Sequence, residues 1–172
     1  MIANNSSIMD NQHQGRYANM ADKLLTIDEA IHMLRADPHY ADLVRDAYFG
    51  ADTQESADRF LQSGEFFEVE RILKDTIRNA TVVDVGAGSG ISSYAFAMHG
   101  AARVYALEPD PSDLVGCGAI ERIRGNLPIE ILRTYADDIT LSDASVDIVY
   151  ARQVLHHIPP VTKAAWLEIM RY

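Results

Sequence analysis

Apolar residues follow two regimes along the chain. Between residues 26 and 77 they recur at helical spacing: Ile27, Ala30, Ile31 and Leu34, then Tyr40, Leu43, Val44, Ala47 and Tyr48, then Phe66, Phe67, Val69, Ile72, Leu73 and Ile77. Thr26 with Glu29 forms a capping box that opens the first helix. Asp37-Pro38 opens a second with Pro38 at its first helical position, and Gly50 ends it. A third helix is expected over 53–61 and a fourth over 65–77. Residues 23–79 thus read as an N-terminal helical segment. Its apolar faces must be buried, as a bundle against the rest of the domain, as a cap over a ligand mouth, or as both. Residues 1–22, rich in Asn, Gln and Ser without apolar periodicity, read as a mobile tail; ordering over a ligand is the alternative.

From residue 81 short β-branched runs alternate with helical patterns. Val82-Val83 and Val85 predict a buried strand with Asp84 near its end. Gly86, Gly88 and Gly90 follow, then a helix over 91–98 that His99-Gly100 closes. Glycines permit positive φ and let a ligand lie against the backbone. The helix start offers free amides and a positive dipole end to an anion. A second strand over 103–107 ends in Glu108-Pro109. Asp84 and Glu108 are 24 residues apart, one strand–helix–strand unit. In a parallel sheet that brings Glu108 beside the glycine turn, at the carboxyl edge where open α/β sheets bind ligands. An acid there can accept bonds from both hydroxyls of a ribose. Ser112 is expected to cap a helix running to 124, its first turns softened by Gly116 and Gly118. Strands over 129–135, ending in Ala136-Asp137-Asp138, and 146–150 follow, and Pro159-Pro160 starts a last helix. The fold class is α/β: a Rossmann-like, doubly wound parallel sheet of about four strands over residues 80–172, incomplete, behind the helical segment.

The glycine spacing selects the ligand. A dinucleotide fingerprint needs its third glycine at position 91, which is Ile91. Asp84, Gly86, Gly88 and Gly90 instead make D-x-G-x-G-x-G, which resembles the first motif of the class I S-adenosylmethionine-dependent methyltransferases. The run Val154-Leu155-His156-His157-Ile158 is similar to a stretch of that family's small-molecule, type-11-like branch. The resemblance implies S-adenosylmethionine as cofactor. Asp84 and the turn Gly86, Ala87, Gly88 and Gly90 would hold its methionine end, and Glu108 its ribose, with Pro109 alongside. Asp137, with Asp138 in reserve and Ala136 beside them, would face the adenine amino group, and Arg152 and Gln153 would lie near the methionine. His157 is the candidate base for a phenol or hydroxyl acceptor. The family's strand order is 3-2-1-4-5-7-6, of which this chain supplies the first four strands. It therefore reads as the cofactor-binding part of such an enzyme, truncated after the fourth strand, whose exposed edge is then available for self-association.

Composition narrows the partners. With 48% apolar and 23% charged residues the chain is globular, and no apolar run approaches the ~18 residues of a membrane span. The absence of a basic-then-apolar leader points to the cytoplasm. One cysteine, Cys117, forms neither a disulfide framework nor a multi-cysteine zinc site. His156 and His157, about 100° apart on a helix, do not share a metal, so none is expected. A net charge of −10 argues against nucleic acid, Arg122 and Arg124 being the nearest approach to a basic patch. The amino-methylase motif Asn/Asp-Pro-Pro-Tyr is absent at the fourth strand. The expected acceptor is thus a small molecule. The rival readings are a truncated or degenerate non-catalytic domain, holding S-adenosylmethionine or a partner protein, and a nicotinamide-dependent oxidoreductase, which the glycine spacing opposes.

Overall fold

A computed structural model describes residues 24–157. The tail expected over 1–22 and the helix expected after Pro159-Pro160 lie outside the described residues. The N-terminal part forms α1 (Ile27–Ala36), a 3-10 turn (Pro38–Tyr40), α2 (Ala41–Asp46), α3 (Thr53–Leu61) and α4 (Gly64–Leu73). Then come β1 (Thr81–Val85), α5 (Ile91–Met98), β2 (Arg103–Leu107), α6 (Cys117–Arg124), β3 (Ile129–Leu132) and β4 (Ile148–Ala151). The strands are parallel in the order β3-β2-β1-β4, the first four places of the expected topology.

Helix starts are set by side chains that satisfy orphan amides. Thr26 and Glu29 close the capping box on α1. Asp52 accepts from the amides of Gln54 and Glu55, and Ser63 from that of Phe66. Each such cap stabilises its helix by about 1 kcal/mol. Helix ends depart from the sequence reading. The second helix stops at Asp46, and Tyr48, at φ 59°, turns the chain before Gly50 is reached. The fourth stops at Leu73 because Lys74 adopts φ 51°; a 3-10 turn (Lys74–Ile77) then delivers Ile77 to the core. α6 begins at Cys117, not after Ser112, whose hydroxyl accepts from Leu114 and Val115 in a separate turn. Gly116 is there for space rather than softness: a Cβ would sit 2.3 Å from the Asp110 carbonyl oxygen. β3 ends at Leu132, where the amide of Thr134 turns back to its carbonyl. β4 starts at Ile148, after Asp147 exchanges bonds with Thr81.

One face of the sheet, Val82, Val104, Ala106, Ile129 and Ile148, packs against α5, α6 and the N-terminal helices. Aromatic rings join the layers: Tyr48, Phe60, Phe66, Phe96 and Tyr150 follow one another at centroid separations of 5.1–5.6 Å. Polar ties fix the arrangement. Tyr94 of α5 donates to Asp58 of α3 at 2.9 Å, and His99 meets Glu70 of α4 at 2.6 Å. On the opposite face Val83, Val85 and Leu107 are covered by Ile139, from the segment linking β3 to β4. Tyr94→Phe removes a bond to a carboxylate and is expected to lower stability by about 1–2 kcal/mol in urea unfolding. An unchanged midpoint would mean that Asp58 does not anchor α3 to α5.

Candidate active site

Strand order reverses between β1 and β4, with β2 and β3 on the other side of β1, and the crevice beyond the carboxyl ends of these strands is the topological place for a ligand. The turn after β1 enters it with Gly86, Gly88 and Gly90 at φ 67°, 56° and 82°. The three glycines have different surroundings. A Cβ on Gly86 would lie 2.3 Å from Val154 Cγ2, and one on Gly90 2.9 Å from Ile120 Cγ1. Their bare α-carbons are therefore packed by protein, not kept clear for a ligand. At Gly88 a Cβ meets nothing nearer than the Val115 carbonyl oxygen at 3.8 Å. Gly90 caps α5 without a side-chain hydrogen bond, so no side chain satisfies the first-turn amides.

Glu108, 7% exposed, stands beside this turn as the spacing predicts. Its Oε2 accepts from the Gly88 amide at 2.7 Å and its Oε1 from the Asp110 amide at 2.8 Å. A carboxylate offers about four lone-pair sites, so two of them remain. Burial raises its pKa, against the pull of both amides. Pro109 is half-buried next to it.

Asp84 is 1% exposed and turns inward, where its Oδ2 accepts from Ser93 Oγ at 2.7 Å. It ties the end of β1 to α5 and so holds the turn between them. Burial pushes its pKa from 3.8 up to about 6; the Ser93 bonds oppose the rise and the nearby Glu108 charge adds to it. The folded chain thus keeps a proton that the unfolded chain has already released, and stability falls as pH rises from about 4 to about 6. Asp84→Asn removes this ionisation. Across that window the variant should gain roughly 2–3 kcal/mol on the parent in urea unfolding. A difference that does not vary with pH would mean that Asp84 ionises normally in the fold.

The other expected residues are dispersed. Ala136 packs against the lower core, while Asp137 and Asp138 are exposed in the loop after β3, one strand from Glu108. Thr134 Oγ1 donates to the Asp138 carbonyl at 3.0 Å. Arg152 turns beneath the N-terminal helices: its Nε and Nη2 donate to the Glu65 carboxylate at 2.7 and 3.0 Å. Gln153 is exposed with φ 53°. His156 and His157 are exposed on a 3-10 turn, not an α-helix, and their rings lie 3.9 Å apart instead of diverging. Among the described residues no three His, Cys, Asp or Glu gather as a metal-ligand set. Sequence reasoning missed Ser93, Val154, Tyr48 and Glu65. Ser93 alone left a signal, as one of two adjacent serines in a helix that is otherwise apolar or aromatic.

A parallel sheet whose first strand ends in D-x-G-x-G-x-G, with the acid after the second strand bonded to that turn, is the architecture of class I S-adenosylmethionine-dependent methyltransferases. The methyltransferase-domain family matches residues 83–172, more than half of the chain, and the chain belongs to it. It is 37% identical over 82 residues to the tRNA U34 carboxymethyltransferase of Shewanella frigidimarina, covering 47% of this chain and 24% of that protein. The protein of the same name from Shewanella denitrificans is 38% identical over 78 residues, covering 45% and 23%. The chain spans about a quarter of the length of these curated relatives. The YcgJ protein of Bacillus subtilis shares the fold at a TM-score of 0.53 and 19% identity, over 66% of this chain and 45% of that one. Among the described residues no helix is long and apolar enough to cross a membrane.

Proposed function

We propose that this chain holds S-adenosylmethionine along the carboxyl edge of β1 and β2 and takes part in methyl transfer to a small-molecule acceptor. The observation that carries the reading is the Glu108 carboxylate, fixed by the Gly88 and Asp110 amides with two acceptor sites left for a ribose diol. Bound there, the cofactor would supply an electrophilic methyl group on a sulfonium. The first turn of α5 receives the methionine carboxylate. Asp84 is a positioning residue that acts through the turn. Asp137, or Asp138 behind it, accepts from the adenine amino group. Arg152 and Gln153, directly after β4, border the methionine end, and His157 is the imidazole available to take a proton from a hydroxyl acceptor. The protein's task is alignment and exclusion of water. The net charge of −10 supports a small acceptor. A second reading, a nucleic-acid acceptor, draws support from the name tRNA U34 carboxymethyltransferase carried by the relatives.

Calorimetric titration with S-adenosylhomocysteine, with NADH as decoy, tests the cofactor. Saturable binding of the first alone is expected; a folded chain that binds neither leaves the non-catalytic reading in place. Incubating the chain and radiolabelled S-adenosylmethionine with a cell extract then tests the acceptor. Label in the low-molecular-weight fraction is expected, and label in tRNA would favour the second reading.

A further inference from the structure

A cavity of about 280 Å³ opens where α2, α3 and α4 meet the end of β4, lined by Arg45, Asp46, Tyr48, Arg59, Glu65 and Arg152. In a chain of net charge −10 this lining carries three arginines against two acids. Arg45 is paired with Asp42 and Asp46, and Arg152 with Glu65. Arg59 pairs with no carboxylate among the described residues; it donates to the Arg45 carbonyl and lies 4.6 Å above the Tyr48 ring. Arg152 lies over the same ring and that of Phe60, at 5.3 and 5.2 Å. Stacking leaves a guanidinium's in-plane edge pointing outward; Glu65 occupies that of Arg152, whereas Arg59 gives one donor to a carbonyl and keeps the others for a planar or tetrahedral oxyanion. Two residues at this place hold left-handed backbone without being glycine: Tyr48 at φ 59° and Gln153, next to Arg152, at φ 53°. Such strain persists where surrounding packing imposes it, and it gathers at ligand sites. One lining residue, Arg152, follows the carboxyl end of β4. Arg152 follows Ala151, the register partner of Val85, and Val154 touches Gly86.

We propose that this cavity is the acceptor pocket, and that it selects a small acceptor bearing a carboxylate or phosphate, held by the Arg59 guanidinium, which no carboxylate of the described residues engages, with the Tyr48 ring beneath it. The acceptor role rests on the methyl-transfer reading; the anion site stands on the cavity itself. The test is NMR of the arginine Nε–H groups of the whole chain, titrated with benzoate and with inorganic phosphate, with and without S-adenosylhomocysteine. The expected result is a saturable shift of Arg59 and Arg152 with one of the two probes, which names the oxyanion. In Arg59→Gln that affinity falls at least about tenfold, while binding of S-adenosylhomocysteine is kept. If S-adenosylhomocysteine binds but neither probe moves these signals, or Arg59→Gln leaves the probe's affinity unchanged, the inference is overturned. Probe binding without S-adenosylhomocysteine binding would preserve an anion site and remove its role as acceptor pocket, together with the methyl-transfer reading.

Discussion

Glu108→Ala is expected to weaken S-adenosylhomocysteine binding by roughly 100-fold or more, which in calorimetry reads as loss of binding. Two bonds from ribose hydroxyls to a carboxylate contribute about 1.5–3 kcal/mol each, and each 1.4 kcal/mol is about tenfold in affinity. The substitution also strands the Gly88 and Asp110 amides that the carboxylate now satisfies. Glu108→Gln removes the charge and leaves one backbone amide facing the new NH2 while the other keeps its acceptor. It keeps the shape and one acceptor oxygen, and should lose roughly tenfold, between parent and alanine variant. Because burial raises the pKa of Glu108, binding by the parent should weaken on acidification earlier than for an ordinary glutamate, and the Gln variant should lack that dependence. A folded Glu108→Ala chain with unchanged affinity would remove this residue from the ribose site.

The place of Glu108 beside the glycine turn was legible from spacing alone. An acid 24 residues after Asp84 has to arrive at the next carboxyl edge of a parallel sheet, and only a local unit is involved. The capping box at Thr26 and the bounds of α3 and β2 were equally local and emerged as read. What sequence could not supply depends on residues far apart in the chain. Arg152 follows a strand end, as expected of a site residue, yet its direction is set by Glu65, 87 positions away, and by the rings of Tyr48 and Phe60. Asp84 carries an acid's signature in the motif, but its neighbour Ser93 and the helices above β1 make it a buried anchor. The end of β3 was overrun because Arg133 and Thr134 leave the sheet while the sequence still permits a strand. The common element is competition: local propensity fixes an element's type, and tertiary packing fixes where it stops and what its side chains face.

The glycine motif itself shows the same division, and Gly86→Ala exposes it. Two costs combine at this position. An L-residue at φ 67° carries about 1–2 kcal/mol of backbone strain. The new methyl would also lie 2.3 Å from Val154 Cγ2 and 2.8 Å from Val154 Cβ, atoms of a stiff β-branched side chain that cannot swing aside. Overpacking of this kind costs about 1–3 kcal/mol, so a total loss of about 2–5 kcal/mol is expected in denaturant unfolding. Val154→Ala in the same chain removes the nearest of these atoms but leaves the strain. The double variant should therefore be more stable than the sum of the single effects predicts, by at least about 1 kcal/mol. Additive effects would mean that the loop after β4 moves away at no cost, and that backbone conformation alone requires glycine there. Coupling would show that the first glycine is kept bare so that the loop after β4, which carries Arg152, can close on the turn beside Glu108.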